Sequence, residues 1–220
     1  MKTEGIVISS IDYKESSKIV NLYTPVGKLS VNARGALNPK KGMLGFITTL
    51  NIVSFVTTDT NSKTVTEYQL EYSAYNLNQS IDKIKALAII IDIIKEISDD
   101  INHEKCYQFI KKILISLKDN NTKKVLSVFL IKMLYIFGIA PNLKSCVKCN
   151  NVNNLVSFNT YLGGALCSNC SNPNVDLLNI WMEYYYDKKE IGEYSDTDFD
   201  KLLEEIASYY SYHMGIKLKI

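Results

Sequence analysis

Over residues 1 to 75 the apolar positions come in short alternating runs. "EGIVISS", "KIVNLYT", "GKLSVNA", "TLNIVSFVTT" and "TVTEYQLEY" are rich in β-branched and aromatic residues. Gly, Pro, Asn and Asp separate them, which is the punctuation of strands. "TPVGK" (Thr24 to Lys28) and "TDTNSK" (Thr58 to Lys63) read as hairpin connections. Five short strands in so little chain suit a small barrel of the OB-fold type. A five-stranded SH3-like barrel is the structural alternative.

From Ser80 the period lengthens. Ile81, Ile84, Leu87, Ile91 and Ile94 recur at helical spacing, with Ser80 as the candidate N-cap. A second helix carries Cys106, Ile110, Ile113 and Leu117 on one stripe. A third, from about Thr122 to Phe137, is apolar nearly all round and is therefore expected to be buried. Gly138 and Pro141 end it, because Gly takes a left-handed cap and Pro cannot continue a helix. Helical patterns return at Asp176–Lys188 and Asp198–His213. No repeat and no low-complexity linker appears. The fold expected is α+β and multidomain. It has an N-terminal OB-fold barrel over 1–78 and a helical domain over 79–140 and 175–220. A zinc module over 141–174 is inserted in the helical domain.

Composition changes this picture little. The chain has 220 residues and is 46% hydrophobic, with a net charge of +2. "MKTEGIVISS" lacks the apolar core of a signal peptide. No apolar run reaches the roughly 18 residues of a membrane span. A soluble, cytoplasmic protein with no membrane partner is expected. Charge is unevenly placed. The segment from Lys14 to Lys41 is basic, and that from Asp176 to Glu205 is acidic. Arginine occurs once, at Arg34, among 25 basic residues.

"CVKC" and "CSNC" carry the strongest chemical signal. Cys146, Cys149, Cys167 and Cys170 form C-x2-C-x17-C-x2-C, which is the spacing of a zinc ribbon or knuckle. Each C-x-x-C places two thiolates on one turn, and two turns complete a tetrahedral S4 shell. A closed shell leaves no position for a reacting water, so a single structural Zn2+ is expected. Disulfides do not suit a cytoplasmic chain. Cys106, on a helical stripe, is read as a packed apolar residue. No catalytic motif accompanies the cysteines. "HEK" at His103 lacks the second histidine of H-E-x-x-H, and no G-x-S-x-G, P-loop or G-x-G-x-x-G is present. No enzyme is expected.

Arg34 ends the alternating strand "KLSVNAR". Leu29, Val31 and Ala33 take one face, while Lys28, Ser30, Asn32 and Arg34 take the other. Gly35, Gly42 and Gly45 then flank a loop bearing Lys40 and Lys41. A basic barrel face ending in a pliable basic loop is how OB-folds follow a phosphate backbone. Arginine adds a planar fork for phosphate or base. The competing reading is a plain solvated face.

"GIVISSIDYKESSKIVNLYTPVGKLSVNARGALNPKK" resembles the N-terminus of the bacterial recombination and repair family RecO. "FGIAPNLKSCVKC", "YLGGALCSNC" and "YYSYHMGIKLK" resemble that family's first knuckle, second knuckle and closing helix. The resemblance spans nearly the whole chain and rests on the order of these motifs. It implies binding of single- and double-stranded DNA and annealing of complementary strands, including strands coated by single-stranded-DNA-binding protein (SSB). It implies that the acidic C-terminal tail of SSB is a partner, that RecR is another, and that the family protein together with RecR promotes RecA loading. It implies a bacterial, nucleoid-associated location. Carried to this chain, the DNA-binding positions are Lys14, Lys28, Arg34, Lys40 and Lys41. The stretch "GMLGFITTL" departs from the basic loop and Leu-x-Pro-Phe element common in the family, and the chain stops at "IKLKI" without a basic tail. Three rival functions are a zinc-ribbon nucleic-acid-binding regulator, a protein-interaction adaptor that binds no DNA and, last, a zinc hydrolase without a recognised motif.

Overall fold

A computed structural model describes residues 2–58, 62–171, 175–186 and 193–220. The chain forms two compact units, Met1–Asp119 and Asn120–Ile220.

The first unit is built on a long central strand, β1 (Lys2–Tyr13). Its second half pairs with β2 (Ser17–Thr24) and its first half with β4 (Ile52–Thr57), both antiparallel. A strand shared between two neighbours has to bend, and a register shift between Val7 and Ser9 supplies the bend. β3 (Gly27–Ala33) returns along β2 after the tight Pro25–Val26 turn. Gly27 ends that turn at φ +109°, where a Cβ would be strained. β5 (Val65–Tyr72) pairs with β4. The order is β3-β2-β1-β4-β5, and the two edges then meet. Asn32 N–H donates to the Lys63 carbonyl at 2.8 Å, and Asn32 bridges Thr64 in parallel. This closure gives the five-stranded barrel OB connectivity. The expected 58–63 turn includes residues 59–61, which lie outside the described residues.

The barrel interior holds Val7, Val20, Leu22, Val31, Ala33, Val53 and Phe55. One end is plugged by Phe46 from α1 (Leu44–Ile47), a single helical turn that the sequence pattern does not predict. Its ring meets Phe55 edge to face at 5.5 Å. Burying such a ring is worth about 2–3 kcal/mol. Buried Asn51 holds this plug in place. Its amide donates to the Gly45 carbonyl at 2.8 Å, and its side-chain oxygen accepts from Ala74 N–H at 2.9 Å.

α2 (Ile81–Lys95) and α3 (His103–Ser116) belong to this same unit. α3 buries Cys106, Ile110 and Ile113 on the expected stripe, and Leu117 just beyond its end. It is tied to the sheet by the Lys111–Glu4 ion pair at 2.7 Å and by Tyr23 Oη at 3.1 Å from His103 Nδ1. The buried face of α2 differs from expectation. Ala86, Leu87, Ile89, Ile90, Ile93 and Ile94 are inside, while Ile81 and Ile84 are exposed. Isoleucines surround most of this helix, so periodicity alone does not select the face that packs. Ser80 stands at the N-cap, but its side chain makes no capping hydrogen bond.

The second unit packs α4 (Thr122–Ile136), α5 (Val175–Tyr185) and α6 (Asp196–Met214) together, with a two-stranded hairpin of β6 (Leu155–Asn159) and β7 (Gly164–Cys167) beside them. α4 is buried on most sides, as its composition requires. Gly138 ends the chain's exit from α4 at φ +72°. α6 opens with a Ser195/Asp198 capping box. Residues 187–188, part of the expected extent of α5, lie outside the described residues. Trp181 is fully buried, and its indole N–H donates to Glu205 at 2.9 Å. Burial pushes the Glu205 carboxyl upward, and the Trp181 hydrogen bond only partly opposes this. No helix among the described residues is long and apolar enough to cross a membrane.

Two stability predictions follow from these contacts. Asn51→Ala leaves the part-buried Gly45 carbonyl and the buried Ala74 N–H without this partner, and should lower the unfolding free energy by about 2 kcal/mol in urea titrations. For Glu205 the folded state favours the protonated acid. Ionisation therefore costs stability as pH rises above the ordinary value of 4.5. Glu205→Gln keeps an acceptor for Trp181, so it should raise the melting temperature at neutral pH. The gain should vanish below the ordinary glutamate range. An equal gain at all pH values would sink this account.

Candidate metal centre and nucleic-acid interface

The hairpin of the second unit carries one knuckle at each end of its path. In the first, Asn150 N–H donates to the Cys146 carbonyl at 2.9 Å, and Asn150 takes φ +61° to close the turn. In the second, Cys170 and Ser171 N–H groups donate to the Cys167 carbonyl at 2.9 and 3.1 Å. Turns of this kind aim two sulfurs at one point. The Sγ atoms of Cys146, Cys149, Cys167 and Cys170 all lie within 4.8 Å of one another. Cys149 and Cys167 are 3.6 Å apart, and none of the four is in a disulfide. A tetrahedral zinc with bonds of about 2.3 Å places its sulfurs about 3.8 Å apart. The residues therefore fit one Zn2+.

The two knuckles meet because two backbones approach closely. Asn142 N–H donates to Gly163 O, and Ala165 N–H donates to Asn142 O, both at 2.9 Å. Val147 N–H reaches Ala165 O at the same distance. A Cβ on Gly164 would lie 2.2 Å from the Asn142 carbonyl oxygen, so only glycine permits this bridge. The "GG" of the sequence signals a turn, which Gly163 makes at φ +76°. The more exacting role of Gly164 is not apparent from it.

The thiol chemistry favours a cation. Burial opposes ionisation of Cys146. The backbone N–H groups of Cys167, Lys148 and Cys149, with the Cys149 thiol, overcome it and bring Cys146 down to about 6. Cys170 is pushed up to about 12, first by its hydrogen bond to Cys149. One thiolate thus forms readily, while Cys149 and Cys170 are held protonated until a positive charge stands among them. Cys106 stands apart in the first unit, buried, with its thiol pushed up by that burial.

The five basic positions expected to meet DNA do not form one group. Lys14 sits in the β1–β2 turn at φ +56°, its ammonium 5.2 Å from the Tyr13 ring centre. Leu37 N–H donates to Ser16 O at 3.1 Å, which joins that turn to the loop bearing Arg34, Lys40 and Lys41. All four cations are exposed, and Arg34, Lys40 and Lys41 form no ion pair with a described carboxylate. Arg34 stands just past β3 rather than on it. The loop is pinned rather than pliable. Asn38 caps a 3-10 turn over Pro39–Lys41, and Tyr68 Oη donates to the Gly42 carbonyl at 2.5 Å. The Lys41 stem lies over Gly35. Lys28 is at the opposite end of β3, where its ammonium donates to the Lys95 carbonyl at 2.5 Å. There it caps the C-terminus of α2, a favourable place for a cation.

A barrel of this connectivity, a C-terminal helical unit and four converging cysteines are now in view. The family model described as Recombination protein O N terminal matches residues 1–89, and Recombination protein O C terminal matches residues 78–219. The chain belongs to the RecO family. The DNA repair protein RecO of Halalkalibacterium halodurans is 26% identical over 99% of this chain and 91% of its own. That of Thermoanaerobacter sp. is 25% identical over 100% of this chain and 94% of its own. That of Bacillus mycoides is 26% identical over 99% and 94%. RecO membership thus runs the length of the chain, barrel and cysteine hairpin included.

Elemental analysis should find one zinc per chain. Cys149→Ser should lose most of it, together with a stabilisation on the order of 10 kcal/mol local to the hairpin. Gly164→Ala touches no sulfur, yet should also lose zinc. Full zinc retention by Gly164→Ala would show that the close approach does not position the thiols.

Proposed function

We propose that this protein is a recombination mediator without bond-making chemistry. It binds single- and double-stranded DNA, anneals complementary strands, including SSB-coated ones, and with RecR promotes RecA loading. Family membership supports a role in DNA repair and recombination. The observation that carries the finer reading is the group of exposed cations at one end of the barrel. Lys14, Arg34, Lys40 and Lys41 project from two joined turns. Cations placed so would neutralise phosphates of both strands and lower the repulsion that opposes pairing. Arg34 would supply a planar fork for phosphate or base. Lys28, engaged with the end of α2, is the least suited of the five, and we assign it a secondary part.

In this reading the division into a barrel over 1–78, a helical domain over 79–140 and 175–220 and a zinc module over 141–174 is retained as functional modules. Zinc stiffens the hairpin, and Cys146, Cys149, Cys167 and Cys170 hold it. The SSB tail and RecR are protein partners, and the location is cytoplasmic and nucleoid-associated. A zinc-ribbon regulator would concentrate its contacts near Lys144 and Lys148. An adaptor would show no salt-sensitive DNA binding.

Annealing of complementary oligonucleotides coated with cognate SSB tests the reading. The wild-type protein should accelerate it. A variant carrying Arg34→Ala, Lys40→Ala and Lys41→Ala should lose most of the acceleration while retaining zinc. If about five phosphates are neutralised, log K against log salt on single strands should slope at roughly −3 to −4. A slope near zero would remove the electrostatic mechanism.

A further inference from the structure

The second unit has a groove of about 550 Å³ that the four cysteines and the barrel do not use. Tyr161 from the tip of the β6–β7 hairpin forms one wall. Ser208, Ser211 and Tyr212 of α6 form the floor, and Lys217 of the chain beyond α6 closes the other side. Each wall is fixed. His213 Nε2 lies 2.8 Å from the Thr160 carbonyl, and Leu162 N–H donates to the Asn159 side chain at 2.8 Å. These bonds hold the hairpin tip on α6. Gly215 at φ +71° turns the chain back, and Ile216 N–H donates to Tyr210 O at 3.3 Å. Lys217 is thereby brought over the last turns of the helix.

The lining is unusual for a surface. Tyr161 and Tyr212 are 66% and 60% exposed, yet their rings meet edge to face, 5.2 Å apart at 89°. Tyr212 also meets the His213 ring edge to face at 5.0 Å, yet both tyrosines keep most of their surface exposed and so leave ring area for a further stacking partner. Lys217 and Lys219 are exposed and form no ion pair with a described carboxylate. We propose that this groove is a base-stacking site for single-stranded nucleic acid, carried by the second unit alone.

The chemistry favours that occupant over a peptide helix. An amphipathic helix seeks a row of aliphatic pockets, whereas this groove offers two tyrosine rings, serine hydroxyls and the Lys217 ammonium, with only Ala207 and Leu218 as aliphatic lining. Bases stack on aromatic rings whatever their sequence, and phosphates pair with neighbouring lysines. The site deepens the proposed function and rests on it. An annealing protein needs to hold unpaired bases as well as neutralise backbones, and the barrel's basic end offers the second of these.

The test uses the full, zinc-loaded chain and a short single strand of thymidines substituted with iodouracil. Irradiation should join the strand to Tyr161 or Tyr212, as read by peptide mass mapping. The double variant Tyr161→Ala, Tyr212→Ala should bind the strand about 10-fold more weakly, the loss of one to two stacked bases. Its salt slope should be unchanged, since no cation is removed. Tyr161→Phe, Tyr212→Phe should bind within about twofold of wild type, because the ring faces remain. Both tyrosines are exposed, so unchanged zinc content and melting serve as the folding control. If the wild type binds with a steep salt slope but the double alanine variant binds as tightly and no crosslink falls on either tyrosine, the groove is not a strand site and the proposed function stands. If the wild type binds no strand even at low salt, the proposed function fails and this site with it.

Discussion

An edge strand leaves backbone N–H and C=O groups unpaired, and both sheets of this chain meet that constraint with a single parallel bridge. In the barrel, Asn32 reaches Lys63 and Thr64 and joins β3 to the start of β5. In the hairpin, Asn142 reaches Gly163, Gly164 and Ala165 beside β7. Each closure removes exposed hydrogen-bonding groups that would otherwise invite another strand. Each also positions residues outside the strands it joins. The first sets where β3 ends, and so where Arg34 emerges. The second brings the two cysteine turns to one point and directs the hairpin tip that bears Tyr161.

The placement of cations follows from the same economy of backbone groups. α2 ends with carbonyls lacking intrahelical partners, and Lys28 donates to one of them. Lys18 is likewise paired with Asp12 across the β1–β2 hairpin. In the same basic segment, Arg34, Lys40 and Lys41 form no ion pair with a described carboxylate, and Lys14 lies near the Tyr13 ring. A basic stretch of sequence is thus divided into cations that serve the fold and cations that face solvent. The distinction depends on where helix ends and carboxylates fall.

Much of this was legible in advance. The five strands were readable from short β-branched and aromatic runs, with alternation clearest in β3, where Val31 and Ala33 are buried and Lys28 and Ser30 are exposed. The four cysteines were readable because C-x-x-C closes one local turn, and local geometry needs no tertiary information. α3 and α4 were readable for the same reason of period. α2 was misread at Ile81 and Ile84, because its apolar residues cover too much of its surface to name a face. The glycines of the loop at Arg34 are visible in the sequence and suggest pliability, while the Asn38 cap and the long-range Tyr68 bond that pin it are not.

The chain's own pattern therefore determined most of its element types, the four cysteines that could hold a metal and the family, since all three depend on spacings within a few turns or on motif order. Tertiary structure alone decided which isoleucines of α2 pack, and that Phe46 plugs the barrel. It also decided that Gly164 lies against Asn142, and that Lys28 caps a helix while Arg34 is exposed and pairs with no described carboxylate. It alone set Tyr161 beside Tyr212. These outcomes depend on contacts between residues far apart in sequence, whose geometry exists only once the sheets have closed.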